Sequence, residues 1–151
     1  MTRTTARELA ILIGFSVVAS EETAEESLAR FFEKEHYETM AGENELFEEY
    51  PDARQMEYIR SVVNLIYDRR VELNAYIEKY AKGWKVNRIS RTAAAILRCA
   101  MCEILWLPDV PNAAAINEAV ELAKKYEDEE VVSFINGILG GFVRGEVPTA
   151  E

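Results

Sequence analysis

Few residues in this chain of 151 are of types that do chemistry, and their spacing limits what they can do. Cys99 and Cys102 form a C-x-x-C pair. A structural zinc site needs a second such pair, and a dithiol redox site needs a strand running into a helix; neither surrounds these cysteines. With Leu97, Met101 and Leu105 about them at helical spacing, they are expected to be buried, reduced thiols on a core helix, with no metal. His36 is the only histidine and falls in a polar stretch, so no acid–base or nucleophile–base pair can be assembled around it. Glu103 and Glu118 lie near apolar stripes, where contact with Arg98 or Arg88 accounts for them as structural groups. The patterns G-x-x-x-x-G-K-[ST], H-E-x-x-H and G-x-S-x-G are absent, so neither an active site nor a cofactor is expected. Arg3 and Arg7 are four residues apart, hence on one side of a helix, and Thr4 and Thr5 add hydroxyls beside them. Cations and hydroxyls in that arrangement suit phosphates, and aromatic rings elsewhere suit unpaired bases.

The elements that must position these residues are all helical. From Thr5 to Ala19 the run of Leu9, Ala10, Ile11, Leu12, Ile13, Phe15, Val17 and Val18 leaves almost no polar face. Such a helix is buried on several sides or lies at an interface, and a homodimer is one outcome. Thr4 or Thr5 is placed to cap it, and Gly14 in its interior costs about 1 kcal/mol against alanine, which points to close packing or a partner there. A second helix follows Ser20, with Glu21 and Glu22 at its start and Leu28, Phe31 and Phe32 as a narrow stripe. The acidic stretch near 36–57 contains Gly42, Asn44 and Pro51 and is expected to be a loop, with Leu46, Phe47 and Tyr50 anchoring at most one turn. Met56, Ile59, Val63, Ile66, Leu73, Ile77 and Tyr80 then keep helical spacing, which predicts the longest helix, ended by Gly83. Ser90 caps a helix over 91–107 whose core face is Ala94, Leu97, Ala100, Met101, Ile104 and Leu105, stopped by Pro108 and Pro111. Ile116, Ala119, Val120 and Ala123 define the next helix. Asp128 then caps a last one carrying Val131, Phe134, Ile135, Ile138 and Leu139, which Gly140 and Gly141 are expected to break. No alternating strand pattern occurs, so the fold class is all-α: a compact bundle of about six to seven helices in a single domain over 1–151, with an acidic insertion near 36–57.

The formal charge of −10 at first excludes a nucleic-acid binder, since affinity for a polyanion rests on Lys and Arg. Its distribution alters that reading. Residues 21–57 hold 13 acids against 3 bases, whereas 58–151 hold 13 against 12 and the first 20 residues are weakly basic. The acidity is local, which leaves the N-terminal tip free to meet RNA. No apolar run of 18 residues is present and the start, MTRTTARELA, is too polar for a signal peptide, so a cytoplasmic location and no membrane contact are expected.

INEAVELAKKY followed closely by SFINGIL resembles the C-terminal signature of the NusB family of bacterial transcription antitermination factors. Upstream, ILRCAMCEIL before LPDVPNAA resembles the family's preceding helix, and ARELAILIGFSV resembles its first helix. The resemblance covers most of the chain, with 36–57 as the gap. It implies a NusB-like helical fold and an adaptor that binds boxA-type single-stranded RNA together with NusE, a small-subunit ribosomal protein. The pair acts on the elongating RNA polymerase with other Nus factors and supports ribosomal RNA transcription. Carried over, the RNA-binding positions are Arg3, Thr4, Thr5 and Arg7 in TRTTARE, and Glu130 and Phe134 in EEVVSFING; the family's cluster of cations is denser than the two arginines here. Apolar spacing taken alone places Phe134 in the core. The resemblance puts the protein partner on Phe15, Asn87 and Arg91, and the acidic segment over 21–57 has the charge to suit a basic ribosomal protein.

Two other readings fit part of this. The thin basic motif suits a protein-binding helical scaffold whose RNA surface is weakened or lost. A NusB-like domain also precedes some RNA methyltransferases, but no glycine-rich cofactor loop is present, so binding and not methyl transfer is expected.

Overall fold

A computed structural model describes residues 1–83 and 89–147. They form eight α-helices and one 3-10 turn, with no strand among them. The all-α expectation holds, with one or two helices more than the spacing suggests. The chain divides into two compact units, Met1–Asp68 and Arg69–Glu151.

The first unit is built on α1 (Arg3–Ala19) packed along α4 (Ala53–Asp68). Thr2, and not Thr4 or Thr5, caps α1, its hydroxyl accepting from the Thr5 amide at 3.1 Å. Gly14 faces Ile66 of α4: a Cβ there would lie 2.8 Å from Ile66 Cδ1, inside van der Waals contact. Close packing within the unit therefore accounts for this glycine. The second helix, α2 (Ala24–Phe31), begins later than Glu21 because Thr23 forms a reciprocal capping box with Glu26. Glu22 instead receives the Arg30 guanidinium at 2.7 Å.

The acidic stretch is not a loop. It folds as α3 (Lys34–Ala41) and a 3-10 turn over Glu45–Phe47. Glu33 caps α3 with its carboxylate, and Phe31, Phe32, Tyr37, Phe47 and Tyr50 gather with ring centroids 5.1–5.8 Å apart. The Tyr37 hydroxyl donates to the Glu49 carbonyl at 2.7 Å, and that of Tyr50 to the Phe32 carbonyl at 3.2 Å. Charge density hid these rings: each stripe is one or two residues wide, so no long apolar period marks it.

The second unit comprises α5 (Arg70–Tyr80), α6 (Arg91–Trp106), α7 (Asn112–Tyr126) and α8 (Glu129–Glu146). The predicted long helix is thus broken into α4 and α5 at Arg69. From Asp68 to Val71 every residue is exposed, so burial offers nothing for continuing the helix, and the Arg69 guanidinium lies over the Trp106 ring at 5.2 Å. The chain leaves α5 through Gly83, whose φ of 86° is a conformation glycine adopts without penalty. α6 is the axis of the unit, with α5, α7 and α8 packed on it and ten of its sixteen residues buried, a wider face than the stripe on 94, 97, 100, 101, 104 and 105. Cys99 and Cys102 are buried free thiols there, as expected; burial raises the Cys102 thiol far above its ordinary pKa, and Cys99 donates to the fully buried Glu103 carboxylate at 3.7 Å. Arg98 donates to Asn74 at 3.1 Å.

α7 starts at Asn112 after Pro111, without a side-chain cap. α8 does not break at Gly140 and Gly141 but runs 18 residues to Glu146, the longest helix among the described residues. Gly145 near its end serves packing. Tyr80 lies against the helix where a Cβ on Gly145 would strike its hydroxyl and one on Gly141 would sit 3.5 Å from its ring. That hydroxyl donates to the Glu146 carboxylate, which also meets the Lys79 ammonium at 2.7 Å, while Phe142 meets Tyr80 edge-on at 5.8 Å.

Candidate nucleic-acid interface

Sites suggested by the sequence fall in both units, and each unit arranges its own set. In the first, Arg3, Thr4, Thr5 and Arg7 occupy the first turns of α1, but the helix divides them. Arg7 is 5% exposed, its guanidinium 5.7 Å from the Tyr58 ring, and belongs to the interior of the unit. Arg3 is half-buried: Nε donates to Gln55 Oε1 at 2.8 Å and the guanidinium lies 4.3 Å above the same ring. Thr4 is exposed and Thr5 half-buried. Gln55 and Tyr58, which hold the arginines, are more than 45 positions away in the chain, and nothing in the sequence joins them to α1. Beside this tip an open cavity of about 340 Å³ is lined by Thr2, Thr5, Glu45, Glu48 and Glu49, carboxylates that repel a phosphate from that side.

Further along α1, Phe15 is half-buried and Leu12, one turn earlier, is 38% exposed. An apolar strip at the surface of α1 is what a protein contact on that helix requires.

In the second unit Glu130 is exposed on the first turn of α8 and Phe134, one turn on, is buried at 7%. The core placement that spacing assigned to Phe134 is therefore correct. Asp128 caps α8 by accepting from the Val131 amide at 3.0 Å. Ser90 caps α6 by accepting from the Ala93 amide at 3.0 Å, and its hydroxyl donates to the Glu127 carboxylate. That bond ties the start of α6, where Arg91 is exposed, to the turn joining α7 and α8. Two positions taken for different roles, Arg91 for protein and Glu130 for RNA, thus stand on the ends of elements linked by one hydrogen bond. The link was missed because Ser90 reads only as a cap. Asn87, the remaining partner position, lies outside the described residues, as does Arg88.

No group of three or more His, Cys, Asp or Glu side chains among the described residues is arranged to hold a metal ion, and no helix among them is long and apolar enough to cross a membrane. What the two surfaces carry is a short cationic, hydroxyl-bearing tip and a hydrogen-bonded helix-end junction with exposed charge.

The NusB family model matches residues 4–144 and so spans both units. The chain belongs to the NusB family. The Transcription antitermination protein NusB of Acetivibrio thermocellus is 38% identical, covering 100% of this chain and 94% of that protein. The protein of the same name from Clostridium kluyveri is 34% identical, with 97% of each covered. Among solved structures, a T. maritima NusB matches with a TM-score of 0.73 at 26% identity, over 98% of this chain and 94% of that one. The all-α fold is thus NusB-like, and the family is one of transcription regulatory factors, not of enzymes.

Proposed function

We propose that this NusB-family chain is an RNA-binding adaptor in transcription antitermination. It binds boxA-type single-stranded RNA jointly with NusE and joins the elongating RNA polymerase with other Nus factors, in the cytoplasm, in support of ribosomal RNA transcription. The observation that carries this reading is the full-length likeness to proteins named for transcription antitermination. The interface fits the role in kind. Arg3 and Thr4 offer a phosphate contact at the tip of α1, Glu130 and Arg91 flank one junction, and Leu12 with Phe15 gives α1 an apolar strip for a protein partner. In this reading both units act as one functional domain, as the span of the family match suggests.

A second reading is favoured by one observation: with Arg7 buried and Arg3 engaged by Gln55 and Tyr58, the cationic surface at the tip is smaller than the sequence implies. A protein-binding scaffold with little RNA affinity would look the same there. Titration of labelled boxA-type RNA with the protein, alone and with NusE, separates the two. The adaptor forms a ternary complex tighter than either pair, and the scaffold binds NusE with no gain from RNA.

A further inference from the structure

Arg98 is half-buried in the seam between α5 and α6, where its Nε donates to Asn74 Oδ1 at 3.1 Å. No carboxylate among the described residues reaches its guanidinium. Glu103, which the sequence offers as a partner, accepts from Cys99 and does not meet Arg98, and neither does the exposed Glu78, one turn on from Asn74. Arg30 and Arg60 are more exposed, yet each is paired with a glutamate, at 2.7 and 3.0 Å. A guanidinium keeps its charge at any ordinary pH, and a charge taken out of water without a counter-ion costs stability. Burial holds Arg98 below the usual arginine range, with no carboxylate acting against it.

The face of α5 that carries Asn74 is open. Val71, Asn74, Ala75 and Glu78 recur at three and four residues, so they share one side of the helix, and all four are exposed. Val71 is 79% exposed, more than any other large apolar side chain presented to solvent among the described residues. It stands one turn, about 4.5 Å along the axis, from Asn74. Arg70, exposed at the start of α5, adds positive charge to the same end. With Nε held by Asn74, the two terminal amino groups of Arg98 are left for a ligand, and that fork matches a carboxylate in a bidentate pair. Exposed apolar groups beside it suit a protein surface and offer nothing to a phosphate backbone. We propose that the outer face of α5, with Arg98 at its edge, is a docking surface for an acidic protein segment, which sets an aspartate or glutamate carboxylate on the Arg98 guanidinium and an apolar side chain on Val71 and Ala75. The surface lies within the second unit and uses none of the residues assigned to RNA or to NusE, so it does not depend on the RNA-binding reading.

The test is an NMR titration of the protein with a capped peptide that carries one glutamate three residues from a leucine, and with the same peptide in which glutamine replaces the glutamate. The Nε–Hε signal of Arg98 and the methyl signals of Val71 are expected to shift together with the glutamate peptide, and the glutamine peptide to bind roughly 10-fold more weakly or worse. Asn74→Asp sets a carboxylate of the protein's own beside the guanidinium. It is expected to raise Tm by roughly 2 °C and to weaken the glutamate peptide about 10-fold, while affinity and salt slope for boxA-type RNA stay as in wild type. Arg98→Met is expected to lose the distinction between the two peptides. Equal binding of both peptides by wild type, an Arg98 signal that does not move, or an Asn74→Asp protein no more stable than wild type overturns the proposal. So does a loss of RNA affinity together with slope in Asn74→Asp, which would put a phosphate on Arg98 instead of a carboxylate.

Discussion

Arg3 and Arg7 share a side of α1, yet only Arg3 keeps its head group near solvent, and this divides their roles. Arg7→Ala removes a buried side chain packed by Tyr58 and is expected to lower stability by about 1–2 kcal/mol. Arg3→Ala is expected to shift stability by less than about 1 kcal/mol while weakening the RNA complex. Urea unfolding of the two variants beside RNA titration distinguishes these outcomes; equal stability losses would show that the tip is structural throughout. Tyr37 gives a second contrast. Burial, aided by the neighbouring Tyr50 and the Glu49 carboxylate, pushes its phenol up to about 12 from an ordinary 10. The folded state then holds a proton that the unfolded chain releases first, so this contribution is intact below pH 10 and lost as pH rises toward 12. Tyr37→Phe, which gives up the bond to the Glu49 carbonyl, should be less stable than wild type at pH 7 by about 1 kcal/mol, with the gap closing above pH 10. A gap constant from pH 7 to 12 would contradict the account.

At the scale of elements, packing and not propensity sets the ends of helices. Gly145 permits the contact between α8 and Tyr80, so Gly145→Ala should destabilise the protein by about 1–3 kcal/mol despite alanine's better helix propensity. In a Tyr80→Ala background the same change should cost nothing, and thermal unfolding of the four proteins of this cycle measures the difference. An unchanged cost would place its origin elsewhere. The same contacts explain what could be read in advance. α6, α7 and the start of α8 were legible because their apolar spacing, Ser90 and Asp128 are local signals. The run through Gly140 and Gly141 was not, because the reward for continuing is Phe142 in the core and Tyr80 from another helix. The break at Arg69 was likewise hidden: residues 68–71 are exposed there and Arg69 lies over Trp106, 37 positions away. In the acidic segment, aromatic contacts between short elements replaced the long period by which helices are recognised. For the site, residue types pointed to Arg3 and Arg7 and the resemblance added Phe134, which apolar spacing placed in the core; how far the arginines face solvent depended on Gln55 and Tyr58.

For the whole molecule, the balance of charge fixes how RNA can be bound. A chain of net charge −10 whose cationic tip is reduced to Arg3 and its neighbours neutralises few phosphates. Binding by the protein alone should then be weak, with a log–log salt slope on the order of 1 at about 0.7 per contact on a single strand. On the proposed function, a basic ribosomal partner would supply the missing charge, and the acidic segment over 21–57 has the charge to receive it. The measurement that bears most directly on this is the affinity of boxA-type RNA for the protein as a function of salt, with and without NusE, for wild type and for Arg3→Ala. The account predicts weak binding alone, a large gain with NusE, and a variant that stays folded while losing affinity and about 0.7 of slope. A variant with unchanged affinity and slope in the presence of NusE would contradict it.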